Sequence, residues 1–354
     1  MIVKNEEKNL KRCVDSVYEY VDQVIIVDTG SKDKTVEIAK QYTDDVYHFT
    51  WIDDFSAARN YSLEKVWCDW ILVLDADECL SQKDIQYIKN NLVHEPYDAF
   101  ELVKRSYCNT PNIGRFQAND KSYVEGNGWL GWQNEPNDIL FRNHEKIYYE
   151  DKIHETVRKS LVKSYFRWHS TDIPVHHYGR HDMSKKQSLY IKLVKERYLV
   201  NPLDADNLYT LGAHLDWEGK LEEAYDIFLK CERLMKEVKV YFALGLLCMK
   251  LARYTEAKDH YLKMIKIDPY AYDAGYRDLM QLYFAERDYV SAFNIYKEGL
   301  KINPKNIILQ FVLANLYYQL GYIYIAKGEL IRINKEYPEY EEAKVFLGEI
   351  IQSF

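Results

Sequence analysis

The chain has 354 residues, enough for two domains of ordinary size. A hydrophobic content of 47% is typical of a globular protein, and a net charge of -8 argues against nucleic acid as the main partner. No apolar run is long enough to span a bilayer, and no signal-peptide pattern is present. The 6 cysteines form neither a Cys-x-x-Cys pair nor a cluster with histidines. Such usage is typical of a reducing compartment, so we expect a cytoplasmic protein with buried free thiols.

The first half of the sequence alternates short apolar runs with helical patterns. Apolar runs at residues 1–4, 24–27, 46–49 and 70–74 predict strands, and the first helix has one apolar face formed by Leu10, Cys13, Val14 and Val17. Strands separated by helices imply parallel pairing and a three-layer α/β domain. In such sheets ligands bind at the carboxyl ends of the strands, where Asp28 and Asp75 both lie.

The most informative run, residues 70–74, leads directly into Asp75 and Asp77. An uninterrupted apolar run predicts a strand that is buried on both faces. Alternate carboxylates at its end are hard oxygen ligands, which suit a divalent cation that also holds a diphosphate. The alternative is a solvated loop with two ordinary acids.

Three other positions in this half are candidates for binding a donor. Asp28 ends the second strand, where a carboxylate can accept from a base N–H or a ribose hydroxyl, although it can also shape an Asx-type turn. Glu6 opens the first helix, where an acid also complements the helix dipole. Arg59 follows a run of small residues, and its guanidinium suits a diphosphate or an acid. A surface arginine is the alternative for Arg59.

Two further segments carry possible catalytic groups. Residues 149–155 contain three acids and His154, so they can supply a general base such as Glu155, or they form a polar strand end. Residues 175–179 contain two adjacent histidines, and an imidazole beside two aspartates can complete a metal site with a preference for manganese. A stacked or core histidine is the alternative, and His169 and His181 flank the segment.

The last part of the sequence is repetitive. Ala224, Ala257, Ala292 and Ala326 recur at spacings of 33, 35 and 34 residues, and an apolar pair such as Leu211-Gly212 precedes each of them. Aromatic or leucine side chains follow each alanine by four positions. This frame is typical of about four tetratricopeptide repeats, each a pair of helices, that stack into a solenoid. An unrelated helical bundle is the alternative.

Together these motifs resemble glycosyltransferase family 2, in particular its bacterial branch with tetratricopeptide repeats behind the catalytic domain. The matching strings lie at residues 1–7, 26–33, 55–60, 74–78, 153–155 and 177–179, in the order of the family. The resemblance implies a GT-A fold with a mostly parallel sheet flanked by helices, followed by the all-α solenoid. We expect residues 1–200 to form the catalytic domain, with an acceptor-side subdomain at about 105–180, and residues 201–354 to form the repeats.

The resemblance also implies roles for individual residues on the donor side. Glu6 would lie near the base of a nucleotide-sugar donor, Asp28 would bind the uracil or ribose, and Asp75 would sit at the ribose and diphosphate. Asp77 and His177 would hold Mn²⁺ or Mg²⁺.

Glu155 is similar in position to the catalytic base of the family, with His154 as its neighbour. The expected reaction is inverting transfer from a UDP-linked sugar to a peptide, protein or glycan. The branch includes sublancin-type peptide S-glycosyltransferases, which glucosylate a cysteine of a bacteriocin precursor. We also expect a possible homodimer through the repeats. The alternatives are a repeat-based binding or assembly protein with a degenerate catalytic domain, and a nucleotidyltransferase or nucleotide-sugar hydrolase.

Overall fold

The computed structural model describes residues 1–109, 116–179, 187–269 and 273–352, without the side chains of residues 187–189 and 273. The chain divides into two compact units. The first comprises Met1–Tyr107, Tyr123–Gly126 and Asn134–Tyr190, and the second comprises Cys108–Ser122, Asn127–Gln133 and Ile191–Phe354. Among the described residues, no helix combines the length and the apolar character needed to cross a membrane.

The strands of the described residues are β1 (Ile2–Val3), β2 (Ile26–Asp28), β3 (Val46–His48), β4 (Trp70–Leu72), β5 (Glu78–Cys79), β6 (Ala99–Cys108), β7 (Phe116–Ala118), β8 (Gly131–Arg142) and β9 (Trp168–His177). The helices before the repeats are α1 (Leu10–Val17), α2 (Thr35–Ala39), α3 (Phe55–Leu63), α4 (Gln82–Asn90), α5 (Arg158–Lys163) and α6 (Gln187–Val200). The predicted apolar face of α1 is buried, and so are five of the six free cysteines, Cys68 being half-buried.

The first three strands form a parallel sheet in the order β1-β2-β3. Its strands are separated by helices, as the sequence predicts, because a parallel pair needs a crossover connection. The sheet places Asp28 at the carboxyl end of β2 and brings the loop after β1 beside the loop after β2.

The strand predicted at residues 70–74 does not extend this parallel pairing. In the structure β4 begins a second, mixed sheet of order β4-β8-β6-β9-β5 and runs antiparallel to β8, with Ile71 opposite Phe141. Hydrogen bonds to β8 satisfy the backbone groups of β4, and the pairing continues just past it, where Val73 N donates to Ile139 O at 2.8 Å. Residues 24–25 and 70–74 line one largely apolar cavity of about 630 Å³. The sheet-and-helix domain is confirmed, whereas the parallel pairing expected for this strand is wrong.

The C-terminal helices form successive antiparallel pairs. The pairs are α7 (Ala205–Trp217) with α8 (Leu221–Leu234), α9 (Val238–Lys250) with α10 (Tyr254–Ile267), α11 (Asp273–Ala285) with α12 (Tyr289–Ile302), and α13 (Ile307–Gln319) with α14 (Ile323–Glu336), followed by α15 (Glu341–Gln352). The four alanines of the predicted frame lie on the second helices and are 0% exposed. The helical repeat prediction is therefore confirmed in register.

Glycines of the frame allow the two helices of a repeat to approach closely. A Cβ atom on Gly212 would lie 2.8 Å from the ring of Phe228, and a Cβ atom on Gly245 would lie 2.5 Å from the ring of Tyr261. Tyr261 is wholly buried, and its hydroxyl donates to Asp278 at 2.9 Å. The ring of Tyr261 lies against Gly245 and its hydroxyl is anchored at Asp278, so a larger residue at position 245 has no space.

We expect Gly245→Ala to destabilise the repeats by about 1–3 kcal/mol, the usual effect of overpacking a core. Gly328→Ala is the matched control, because a Cβ atom at position 328 of α14 would meet nothing within 4 Å. Alanine is a better helix former than glycine by about 1 kcal/mol, so this control should be neutral or stabilising. Urea unfolding followed by far-ultraviolet circular dichroism measures both variants. A Gly245→Ala protein as stable as the control would contradict the close-packing argument.

Candidate functional site

The turn after β4 presents one carboxylate to solvent and buries the next two. Glu78 N donates to Asp75 O, and Asp75 N donates to Glu78 Oε2, each at 2.9 Å, which closes the turn tightly. The Asp75 side chain is 42% exposed, whereas Asp77 is 4% and Glu78 is 1% exposed. Burial and the neighbouring Asp75 raise the pKa of Glu78 to about 7. The predicted acidic motif is therefore a structured turn and not a solvated loop.

Arg59 joins this turn to a segment far along the chain. Helix α3 begins at the N-cap Asp54, which accepts from Ala57 N, and it presents Arg59 to the turn. Nη2 of Arg59 donates to Asp75 Oδ1 at 2.6 Å, and Nε donates to Glu155 Oε1 at 3.2 Å. Partial burial would raise the pKa of Asp75, but the Arg59 guanidinium outweighs it and lowers the pKa. The sequence predicted a diphosphate or an acid as the partner of Arg59, and in the structure Arg59 binds two acids.

Asp77 lies beside His177. The register of β5, β9 and β6 sets Glu78 and Ser106 opposite His177. Nε2 of His177 lies 3.4 Å from Asp77 Oδ2, and Nδ1 lies 3.0 Å from Ser106 Oγ. Burial lowers the pKa of His177, but the hydrogen bond and charge of Asp77 outweigh it and the pKa is raised. A Cβ atom on Gly179 would lie 1.8 Å from Asp77 Oδ2, so only glycine leaves space for this carboxylate.

His176, the residue before His177, is the core histidine that the sequence analysis gave as the alternative to a metal ligand. Successive residues of a strand point to opposite faces, and His176 therefore points away from Asp77. His176 is 0% exposed, and its Nδ1 lies 2.7 Å from the hydroxyl of Tyr107. Burial lowers its pKa to about 4. His169 stacks on Tyr97 at 4.9 Å, and His181 lies outside the described residues.

Asp77 and His177 lie side by side, and both side chains have the chemistry of metal ligands. Among the described residues, no group of three or more His, Cys, Asp or Glu side chains is arranged to hold a metal ion. Mg²⁺ in proteins commonly takes one or two protein ligands and completes its shell with substrate phosphates and water. The Asp77–His177 pair has the ligand types that an ion shared with a bound phosphate would use.

The acidic segment at residues 149–155 sends only one of its acids to this site. Glu150 pairs with Lys163 and Asp151 pairs with Lys159, each at 2.7 Å. The Glu155 side chain is 15% exposed and points to Arg59. Burial raises the pKa of Glu155 although Arg59 opposes the rise.

His154, the neighbour of Glu155, lies at the surface. It is exposed, with a left-handed backbone at φ 54, and its ring meets the edge of Tyr190 at 6.2 Å. The structure therefore groups Arg59, Asp75 and Glu155 by direct contact and places the His154 ring against Tyr190.

Asp28 and Glu6 belong to a second group, at the carboxyl ends of β2 and β1. The Asp28 carboxylate accepts from Gly30 N and Ser31 N at 3.1 Å, which is the Asx-type turn that the sequence allows. Glu6 N donates to Thr35 Oγ1 at 2.7 Å, and Glu6 Oε2 accepts from the side chain of Asn9. The bond between Glu6 and Thr35 joins the two segments, and the others shape each loop internally. The predicted roles of Asp28 and Glu6 in binding a nucleotide stay predictions.

Two family models match this chain. Residues 1–166 match the model of glycosyl transferase family 2, and residues 238–271 match the model of the tetratricopeptide repeat. Residues 1–166 are a glycosyltransferase family 2 domain. The Arg59 bridge, the Asp75–Glu78 turn and the Glu155 carboxylate all lie within it.

Two curated relatives each match a little under two thirds of this chain. A TPR repeat-containing protein of Synechococcus elongatus is 32% identical over 63% of this chain and 53% of its own length. The SPbeta prophage-derived glycosyltransferase SunS of Bacillus subtilis is 26% identical over 65% of this chain and 51% of its own length. The chain thus spans about half the length of the curated relatives it matches. A tetratricopeptide repeat protein from Parabacteroides merdae, solved by crystallography, covers 48% of this chain and 70% of its own at 18% identity, with a TM-score of 0.43.

Sequence reasoning missed two polar residues of the family 2 domain that face the acidic turn. Lys104 and Ser106 alternate along β6, and Nζ of Lys104 lies 3.7 Å from Glu78 Oε1. In the sequence, these two residues are marked only by their alternation along β6, a strand that contains both apolar and polar residues. This alternation becomes informative only when the pairing of β6 with β9 is known.

Proposed function

We propose that this protein is an inverting glycosyltransferase, which moves a sugar from a UDP-linked donor to a nucleophile on a peptide, a protein or a glycan. The observation that carries the proposal is the Arg59 bridge. It joins Asp75, in the turn with Asp77, to Glu155 about 80 residues along the chain, and the separations across Arg59 are 2.6 and 3.2 Å. Arg59 thus brings Asp75, which would serve the donor, and Glu155, which would serve as the base, into one site.

The donor side consists of the strand-end carboxylates and the loops around them. Asp28 and Glu6 would bind the ribose and the base, and Asp75 would orient the ribose and diphosphate. Placing the donor in this way converts its binding energy into orientation of the reacting carbon. Asp77 and His177 would hold Mn²⁺ or Mg²⁺, and such an ion supplies Lewis-acid stabilisation of the charge on the leaving diphosphate.

Glu155 would act as the general base. Its ionised carboxylate takes the proton of the acceptor hydroxyl or thiol while that oxygen or sulfur attacks the anomeric carbon. The attack comes from the face opposite the leaving diphosphate, so the anomeric configuration is inverted. Burial raises the pKa of Glu155 towards neutral pH. A general base is most effective when its pKa lies near the pH at which the enzyme works.

We assign the acceptor to the repeats. Stacked helical repeats present an extended surface, which suits a peptide or a protein better than a nucleotide. In this proposal residues 1–200 bind the donor and residues 201–354 position the acceptor or a second copy of the chain. A cysteine thiol of a peptide is one acceptor compatible with Glu155.

The proposal is tested by incubating the protein and Mn²⁺ with a panel of nucleotide sugars and measuring the nucleotide that is released. We expect one UDP-sugar to be turned over in preference to the others, and turnover to need the ionised Glu155. A non-catalytic assembly protein would release no nucleotide from any donor and would bind none of them. That result would favour the rival function, which the intact acidic turn and the buried Glu155 argue against.

A further inference from the structure

Lys104 is a cation inside the acidic site that the roles assigned above do not use. It lies two residues before Ser106 on β6, on the strand face that meets His177 through Ser106 Oγ. Its side chain is 22% exposed, and its ammonium lies 3.7 Å from Glu78 Oε1 and 3.8 Å from Glu135 Oε2. Burial lowers the pKa of Lys104, but Glu78, Glu135, Asp75 and Asp77 together outweigh burial and raise it. Lys104 is therefore charged and within the field of the acidic turn.

The two cations of this site differ in how firmly they are held. Arg59 donates to Asp75 and Glu155 at hydrogen-bonding distance, and its position is fixed by both. The separations at Lys104 exceed the 3.2 Å limit of a good N–H···O bond, so neither carboxylate fixes the ammonium by a short hydrogen bond. The lysine stem is flexible, and its three donors rotate together.

The two carboxylates beside Lys104 also differ. Glu78 is 1% exposed, and its Oε2 is tied to Asp75 N, so it cannot move away. Its Oε1 is buried without a hydrogen-bond partner among the described residues. The Glu135 side chain is 53% exposed and can turn into solvent at little cost. An arriving anion can therefore replace Glu135 as a partner of Lys104, while Glu78 keeps the stem of Lys104 in place.

We propose that Lys104 is a second cation for the diphosphate of the donor, acting together with the Asp77–His177 pair. This inference rests on the proposed function. When a nucleoside diphosphate binds, the ammonium leaves Glu135 and donates to a phosphate oxygen. During transfer the bond from the anomeric carbon to the phosphate oxygen breaks, and the diphosphate leaves with the electron pair. The bond to the acceptor forms, and the acceptor proton goes to Glu155. Lys104 keeps its own proton and stabilises the charge of the leaving group by hydrogen bonding.

The test is equilibrium binding of the full chain, with Mn²⁺, to UDP, GDP, CDP and dTDP. It compares the diphosphate that binds most tightly with the nucleoside of the same base. In Lys104→Gln we expect the diphosphate to bind at least about tenfold more weakly, since a hydrogen bond to a charged group is lost. Binding of the nucleoside should not change. Lys104→Arg should restore most of the diphosphate affinity.

Two matched variants separate this role from a general effect of charge. Glu135→Gln removes the competing carboxylate and should bind the diphosphate as tightly as the wild type or more tightly. Lys146→Gln removes an exposed positive charge and should change nothing. If Lys104→Gln fails to fold because Glu78 loses its partner, the double variant Lys104→Gln/Glu78→Gln removes both charges and should show the same selective loss.

The outcomes are distinct. Equal diphosphate binding by Lys104→Gln and the wild type would overturn the role of Lys104 and leave the proposed function intact. An equal loss of diphosphate and nucleoside binding in a folded variant would also overturn it, because the effect would then be structural. If the wild type binds none of the four diphosphates, the proposed function fails and the role of Lys104 fails with it.

Discussion

Asp77→Asn should reduce metal-dependent turnover by about 100-fold or more. The substitution keeps the size of the side chain, so the close approach to Gly179 is preserved, but it removes the negative charge beside His177. A divalent ion in such a site contributes several kcal/mol of charge stabilisation, and each 1.36 kcal/mol is about tenfold in rate. The measurement is the rate of nucleotide release at saturating donor, with and without added Mn²⁺ or Mg²⁺.

The matched control is Asp172→Asn. Asp172 lies on β9, the strand that carries His177, but its side chain is exposed. This control should keep the wild-type rate. A chelator should abolish turnover of the wild type, and added Mn²⁺ should restore it. Full turnover in chelator, or a wild-type rate in Asp77→Asn, would exclude the metal role of this pair.

The positions that the sequence predicted well are those fixed by local pattern. The buried alanines and close glycines of the repeats follow from a frame that recurs along the chain, so each copy supports the others. The turn after β4 follows from an apolar run that ends in acids. The position of Arg59 beside this turn follows from the small residues before it, which let α3 approach the turn. In each case the informative neighbours are close in sequence.

The features that the sequence could not predict depend on long-range pairing. The partner of β4 is β8, which has polar residues at 133–138 and therefore lacks the apolar run of a buried parallel strand. The residues alone leave the choice between His176 and His177 open, and only the family resemblance favours His177. The register of β9 against β5, which sets His177 opposite Glu78, is visible only in the structure. Lys104 meets Glu78 only because β6 and β5 both flank β9. A lone lysine in a strand gives no sign of such a contact.

Glu155→Gln should lower turnover by about 100- to 10,000-fold, the usual contribution of a general base. In the wild type Arg59 Nε donates to Glu155 Oε1 at 3.2 Å. The amide of the variant has nearly the shape of the carboxylate, and its oxygen can still accept this hydrogen bond. Donor affinity and the fold should therefore be preserved while proton transfer from the acceptor is lost. The measurement is kcat for transfer, together with equilibrium binding of the donor nucleotide. Glu150→Gln and Asp151→Asn are the matched controls, since those acids pair with Lys163 and Lys159 and should keep the wild-type kcat.

The pH dependence of kcat gives an independent test of the same residue. A base must be ionised to act, so the wild-type kcat should fall as the pH drops through the pKa of Glu155. Burial raises that pKa above the usual range of a glutamate, in spite of Arg59, so the fall should occur at a higher pH than for an exposed carboxyl. Folding stability has the opposite pH dependence. Because ionisation of Glu155 is disfavoured in the folded protein, its contribution to stability is present at low pH and is lost as the pH rises through the raised pKa. In Glu155→Gln the acidic limb of the kcat profile should disappear. If the limb persists in this variant and is lost instead in Asp151→Asn, the base is Asp151, and the contact between Arg59 and Glu155 has only a structural role.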